Sequence, residues 1–110
     1  MTREEARRHI TDTCGQGWLP LVDRVFDALP QGSMVTQVYQ KWAALNFDVT
    51  PEPDREFGAF LDEIEILSKQ VCERCGAPAI ECIDKGWVVA LCLQHARAAA
   101  CVQMDGQPVT

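Results

Sequence analysis

Apolar residues recur at helical spacing in two stretches of the chain. The first covers residues 18–29 and ends before Pro30, because proline cannot continue the backbone hydrogen bonding of a helix. The second covers residues 54–71, and its carboxylates lie on the side opposite the apolar stripe. The pattern therefore predicts a core helix and a longer amphipathic helix. The apolar stripe of the longer helix consists of Phe57, Phe60, Leu61, Ile64, Leu67 and Val71.

The segments on either side of the first core helix give weaker signals. Thr2 and Glu5 have the spacing of a capping box, which predicts a short helix over residues 3–10 with a thin apolar side. Residues 34–49 mix helical spacing with strand-like alternation. Because β-branched and aromatic residues in this stretch favour extended backbone, we expect one bent strand or a tight hairpin there.

The C-terminal third contains two short apolar runs, over residues 79–84 and 87–92. Lys85-Gly86 separates them and is typical of a two-residue hairpin turn, so the runs predict a β-hairpin. Residues 96–102 have the pattern of a helix, and we expect the tail after Gln103 to be loose.

Composition indicates one globular domain. The chain has 110 residues, of which 47 % are hydrophobic and 24 % charged, and these values exclude wholesale disorder. The longest apolar run is too short to span a bilayer, and the first ten residues are too charged for a signal peptide. We therefore expect no membrane segment and a cytoplasmic location. The net charge of −6 argues against sequence-independent binding to nucleic-acid phosphates.

Two ligand pairs with metal-binding spacing follow the amphipathic helix. Cys72 and Cys75 form a Cys-x-x-Cys-Gly motif, and Cys92 and His95 form a Cys-x-x-His motif after the predicted hairpin. Two intervening residues allow one tight turn to aim both ligands at one point. The tight turn over residues 72–76 is called here the knuckle. The order of knuckle, hairpin and helix is that of a treble-clef-type zinc finger. The sequence therefore predicts a structural Zn²⁺ site, since four protein ligands leave no open position for water or substrate.

Two other interpretations of these residues remain open at this point. The cysteines could be unrelated buried residues, or Cys72 and Cys75 could form a redox pair, although no thioredoxin-like βαβ pattern surrounds them. We interpret the remaining cysteines as small buried hydrophobes, because no basic cluster lies beside them in the sequence. His9 is expected in solvent on the first helix. The remaining cysteines are Cys14, Cys82 and Cys101.

With the metal motifs placed, the chain is predicted to be a small single-domain α+β protein over residues 1–110. A core of helices and a short β segment occupies residues 14–71. The zinc-binding module occupies residues 72–102, and a tail occupies residues 103–110.

Four motifs in this order resemble those of a family of small, mostly uncharacterised bacterial and phage zinc-finger proteins. Members have Cys-Gly-x-Gly-Trp near the start, here Cys14 to Trp18, and a middle stretch that usually reads Gln-Val-Lys-Glu-Lys-Phe-Gly-x-Leu-Arg-Phe-Tyr, here beginning at Gln37-Val38. A Cys-x-x-Cys-Gly, a Gly-Trp and a Cys-x-x-His follow. This chain lacks two basic residues of the middle stretch. The resemblance implies an architecture, and it implies no enzyme activity.

The function that these features favour is protein binding. The sequence contains no catalytic dyad, no phosphate loop and no vacancy in the predicted zinc site, so we expect no enzyme. An acidic face with Glu56, Asp62 and Glu63, together with Trp42, is the candidate contact surface. A phage-encoded or prophage-encoded inhibitor of a host machine, such as an anti-CRISPR protein, is one form of this hypothesis. The simpler interpretation of the carboxylates is a solvated helix face.

Nucleic-acid binding through the zinc finger is the alternative. The basic residues near the finger are Arg74, Lys85 and Arg97, which are few for phosphate contact, although Trp87 could stack on a base. A homodimer through the apolar stripe of the long helix is a further expectation about partners.

Overall fold

The computed structural model describes residues 1–109, which form four helices and two small antiparallel sheets. This confirms the predicted α+β class. No helix among these residues combines the length and the apolar character needed to cross a membrane. The elements are α1 (Arg3–Thr13), α2 (Leu19–Ala28), β1 (Met34–Lys41), β2 (Ala44–Thr50), α3 (Arg55–Ser68), β3 (Ile80–Asp84), β4 (Trp87–Leu91), α4 (Leu93–Ala98) and β5 (Val102–Gln103).

The segment of mixed spacing is a tight hairpin. Strands β1 and β2 pair in antiparallel register, with Lys41 opposite Ala44, so Trp42 and Ala43 form the two-residue turn. Both turn residues have positive φ, 53° and 66°. Such turns match the twist of the flanking strands but favour Asn and Gly, because residues with larger side chains are strained at positive φ.

The larger core lies where α1, α2 and α3 pack on the β1–β2 hairpin. α1 is longer than predicted and firmly anchored, since Ala6 and Ile10 are completely buried. The predicted capping box of Thr2 and Glu5 is present. α2 begins with Pro20 in its first turn, and α3 begins at the N-cap Asp54, whose side chain accepts a hydrogen bond from the Phe57 N–H. The buried members include Trp18, Val22, Val25, Leu45 and Ile64.

A second, smaller core holds the C-terminal module together. It contains Cys72, Cys82, Cys92 and Cys101 with a few aliphatic residues. The β3–β4 hairpin turns at Lys85-Gly86, as predicted.

The C-terminal end differs from expectation in two ways. The last helix was predicted over residues 96–102, but α4 covers Leu93–Ala98. It ends early because Ala100 has a φ of 54°, a left-handed conformation that stops the helix. Val102 and Gln103 form β5, which pairs with β3. The prediction of a loose tail after Gln103 is wrong for residues 104–109, because the Gln103 N–H donates to the Gln107 carbonyl at 2.7 Å, Pro108 bridges to Val102, and Val109 packs on the second core. Thr110, the last tail residue, lies outside the described residues.

Candidate metal centre and adjoining groove

The four predicted ligands lie together at the start of the C-terminal module. Cys72, Cys75, Cys92 and His95 each direct one ligand atom to a common point, and these atoms all lie within 4.8 Å of one another. The group could hold a metal ion. Three thiolates and one imidazole are the donor set of structural zinc sites.

The distances between the ligand atoms fit one tetrahedral ion. Sulfurs bound at about 2.3 Å to a tetrahedral ion lie about 3.8 Å apart. The Sγ atoms of Cys75 and Cys92 are separated by 3.8 Å. The Nδ1 atom of His95 lies 3.6 Å from the Cys72 sulfur and 3.2 Å from the Cys92 sulfur. Unrelated buried cysteines would have no reason to meet this geometry.

Two local structures aim the ligands. In the knuckle, the Gly76 N–H donates to the Cys72 carbonyl at 2.8 Å, and Gly76 has a φ of 85°. On the other side, Cys92 is the N-cap of α4, and its sulfur accepts a hydrogen bond from the His95 N–H at 3.5 Å. The helix start thereby places the third and fourth ligands one turn apart.

The environment of Cys72 favours the thiolate that a metal requires. Burial raises the pKa of this thiol, but hydrogen bonds from the backbone N–H groups of Cys92 and of two knuckle residues outweigh burial. The net result lowers the pKa of Cys72 to about 7. A preformed thiolate binds a metal ion with less loss of protons.

The knuckle rests on the glycine-rich turn between α1 and α2. The Gly17 N–H donates to the Glu73 carbonyl at 2.8 Å. A Cβ atom on Gly17 would lie 1.8 Å from the Cys72 carbonyl oxygen, so only glycine allows this approach. Next to it, the indole N–H of Trp18 donates to the carbonyls of Ser68 and Val71, at 3.1 and 2.9 Å. The turn therefore joins the end of α3 and the metal knuckle.

Glu73, between the first two ligands, is the polar link among three elements. It is only 6 % exposed. Its Oε2 atom accepts hydrogen bonds from the Gln40 side chain on β1 and from the Ala90 N–H on β4, both at 3.3 Å. Its own N–H donates to the Ala90 carbonyl at 3.0 Å. Burial raises the pKa of the Glu73 carboxyl, although these hydrogen bonds oppose the rise.

The two hairpin tips meet beside the knuckle and expose two tryptophans. The Ala43 N–H donates to the Val88 carbonyl at 3.1 Å, which brings the β1–β2 turn against β4. Trp42 is 67 % exposed and Trp87 is 72 % exposed. Both line a groove of about 310 Å³, called here the tryptophan groove; its other residues are Gln40, Lys41, Gly86 and Val88.

A larger cleft of about 610 Å³ adjoins the tryptophan groove and shares Gln40 and Trp87 with it. It extends to the end of α1, where His9 lies exposed at its wall. Arg74, the second residue between the first ligand pair, lines this cleft and pairs with Asp84 at 3.8 Å. The metal knuckle therefore forms part of the cleft wall.

The remaining predicted contact residues are separate from these features. Glu56, Asp62 and Glu63 are exposed on α3. Within residues 1–109, the three carboxylates take part in no ion pair. No hydrogen bond joins them to Trp42 in the same range. They match the solvated helix face that the sequence also allowed.

The three cysteines outside the metal cluster are thiols of low reactivity. Cys82 and Cys101 are buried as predicted, whereas Cys14 is half-buried in the larger cleft. Burial raises the pKa of Cys14 to about 11 and that of Cys82 to about 12. Burial also raises the pKa of Cys101. These thiols are protonated near neutral pH, so they are poor nucleophiles.

Sequence reasoning identified the ligands but missed the residues that place them. The sequence analysis assigned no role to Glu73, and the contact between Gly17 and Cys72 had no local signature. The closest available signal was the Gly-x-Gly pattern directly before a tryptophan, because paired glycines often mark close backbone approach.

A scan against protein-family models found no match, and searches of curated proteins and of solved structures found none either. The resemblance to small bacterial and phage zinc-finger proteins therefore stays a prediction from the motifs.

Proposed function

We propose that this protein is a non-enzymatic, zinc-stabilised protein-binding module that contacts its partner through the tryptophan groove. The observation that carries the proposal is the pair of exposed tryptophans on adjoining hairpin tips. Tryptophan is strongly enriched among the residues that dominate binding energy at protein interfaces.

Zinc has a structural role in this proposal. Cys72, Cys75, Cys92 and His95 would hold the ion and fill its tetrahedral shell, so it would have no place for a substrate. Zinc would stabilise the knuckle, and the knuckle supplies Glu73 to the groove region. Because Glu73 hydrogen-bonds both Gln40 on β1 and Ala90 on β4, an ordered knuckle fixes the position of one hairpin relative to the other.

The conformation of Trp42 supports a role in binding over a role in folding. A tryptophan at a φ of 53° is strained, and two thirds of this side chain gains nothing from burial. Strained residues that are also exposed are found at functional sites, where the strain is balanced by the rest of the fold.

Capture of partners from a lysate of the natural host tests the proposal. The tagged protein, purified with zinc retained, is compared with the double variant Trp42→Ala/Trp87→Ala, each with and without nuclease. We expect the native protein to retain a protein partner after nuclease treatment and the double variant to lose it.

The matched control removes two other exposed large apolar side chains, in the double variant Met34→Ala/Ile66→Ala. This variant should capture the partner normally. Equal capture by both double variants would contradict the proposal. Circular dichroism and bound zinc, measured on every variant, separate loss of binding from loss of folding.

The acidic face of α3 is a second candidate contact surface. The observation in its favour is that Glu56, Asp62 and Glu63 are exposed and carry no ion pair within residues 1–109. An inhibitor of a host machine, such as an anti-CRISPR protein, could present such a face to a site that normally receives nucleic acid. Reversal of the three charges should then abolish capture while folding is unchanged.

Nucleic-acid binding remains the alternative function. Trp87 and Trp42 could stack on bases, but few lysines and arginines accompany them. In this case the captured material would disappear after nuclease treatment, and single-stranded probes would shift in a mobility assay at low salt.

A further inference from the structure

The tryptophan groove and the larger cleft adjoin, since Gln40 and Trp87 line both; the two together are called here the depression. An extended chain laid across these two residues contacts both parts. The tryptophan end is aromatic, whereas the α1 end is lined by polar groups such as His9 and Thr13. A chain that carries an apolar anchor next to polar groups fits such a depression better than a compact apolar molecule does.

Basic residues outnumber acidic ones by three to two in the lining of this depression, although the protein as a whole is acidic. Lys41 lines the tryptophan groove, and Lys85 and Arg74 line the larger cleft. Of the two carboxylates there, Asp84 is paired with Arg74, and Glu73 is buried and hydrogen-bonded. Lys41 and Lys85 carry no ion pair within residues 1–109, in a molecule whose net charge is −6.

Because these two lysines complement negative charge on a ligand, we infer that the depression binds an acidic peptide segment of a protein partner. An aromatic or large aliphatic side chain of the segment occupies the space lined by Trp42 and Trp87, and flanking carboxylates contact Lys41 and Lys85. The inference rests on the proposed function, because it names the occupant of the same surface.

The same charges disfavour the two other occupants. A symmetric dimer through this surface would bring Lys41 and Lys85 of both copies into one interface, which places like charges together. A nucleic acid would place phosphates near Asp84 and Glu73, with only three basic residues to contact them. An acidic peptide needs fewer positive contacts and has apolar side chains for the aromatic end.

Fluorescence anisotropy with synthetic labelled peptides tests the inference on the full zinc-loaded protein. The first peptide alternates glutamate with phenylalanine and leucine. The second replaces each glutamate with lysine, and the third keeps glutamate but replaces the apolar residues with serine. Oligothymidylate of comparable length is the nucleic-acid probe. We expect the first peptide to bind about tenfold or more tightly than the other three probes.

Charge reversal gives the sharper result. The double variant Lys41→Glu/Lys85→Glu should bind the acidic peptide about tenfold more weakly than the native protein does, and it should bind the lysine peptide more tightly than the acidic one. The control, Arg8→Glu/Arg55→Glu, makes the same change in net charge at two exposed positions outside the depression and should bind as the native protein does. Unchanged binding by the lysine variant, tighter binding of oligothymidylate, or no binding of the first peptide would each overturn the inference.

The peptide assay tests the partner chemistry, and the capture assay tests the proposed function, so the two claims can be contradicted separately. If capture depends on Trp42 and Trp87 while the acidic peptide does not bind, the groove is a binding surface and the assigned partner chemistry is wrong. If capture is indifferent to both tryptophans, the proposed function itself is wrong.

Discussion

Single residues decide whether the knuckle can pack against the glycine-rich turn between α1 and α2. Gly17 is the clearest case, because its Cα hydrogens face the Cys72 carbonyl and the Gly76 N–H where any side chain would overlap backbone. Backbone atoms on both sides leave little freedom to relax. Gly58 offers the contrast, since it lies in α3 with no atom near its virtual Cβ.

The variant Gly17→Ala should therefore be destabilised by about 3 kcal/mol or more and bind zinc weakly, because the overlap with Cys72 forces the knuckle away from α2. Gly58→Ala should instead gain about 0.5–1 kcal/mol from helix propensity. Urea unfolding and zinc content measure both. A Gly17→Ala protein of native stability would show that the turn and the knuckle are not in tight contact in solution.

A second residue-scale prediction concerns Trp42. Replacement by asparagine relieves the strain at positive φ, at about 1 kcal/mol, and gives up the apolar contact of the buried third of the side chain. These effects oppose each other, so we expect the free energy of unfolding of Trp42→Asn to lie within about 1 kcal/mol of that of the native protein. We also expect this variant to lose partner capture.

The comparison is Leu45→Ala, a buried position on the same hairpin, which should cost about 2–5 kcal/mol. If Trp42→Asn were as damaging to stability as Leu45→Ala, Trp42 would be a folding residue and the case for a binding role would weaken.

At the scale of elements, the chain has two cores of unequal strength. Helices α1, α2 and α3 on the β1–β2 hairpin share a large aliphatic and aromatic cluster. The module of β3, β4, β5 and α4 has a small cluster, much of it cysteine. We therefore expect a module with so little apolar burial to depend on a bound metal ion for folding.

If the cluster holds zinc as proposed, removal of the ion by a chelator should affect the two parts unequally. We expect hydrogen exchange of the β3, β4 and α4 amides to accelerate more than that of the α2 and α3 amides. His95→Ala should give the same pattern without chelator. Retained protection of β3 and β4 in the metal-free protein would mean that side-chain packing alone maintains the module.

At the scale of the whole molecule, charge separates into regions. The net charge is −6, and seven carboxylates lie between Asp48 and Glu65, whereas the depression beside the knuckle gathers lysine and arginine. Self-repulsion of a net charge far from zero reduces the stability of the compact state, and salt screens this effect.

The variant Asp62→Lys/Glu63→Lys changes the formal charge from −6 to −2 at two exposed positions of α3. It should be slightly more stable than the native protein at low salt, by about 0.5 kcal/mol, and equal to it in molar salt. Thermal unfolding at both salt concentrations provides the measurement. A loss of stability that persists in high salt would indicate that these carboxylates make specific contacts.

The sequence alone determined the features that depend on local spacing. The helical period predicted α2 and α3, the Lys85-Gly86 pair predicted the turn of the second hairpin, and the two ligand pairs predicted the metal cluster. Each of these signals lies within one element or one turn, where backbone geometry translates sequence spacing directly into position.

Tertiary structure alone decided which distant residues meet. Trp42 and Trp87 are far apart in sequence and become neighbours because the Ala43 N–H bonds to Val88. The pairing of β5 with β3, where the sequence predicted the end of a helix, likewise depends on a strand that lies earlier in the chain. Such contacts arise from the packing of whole elements, which no periodicity along the chain encodes. The cluster of possible metal ligands could therefore be predicted from the sequence, and the groove beside it could not.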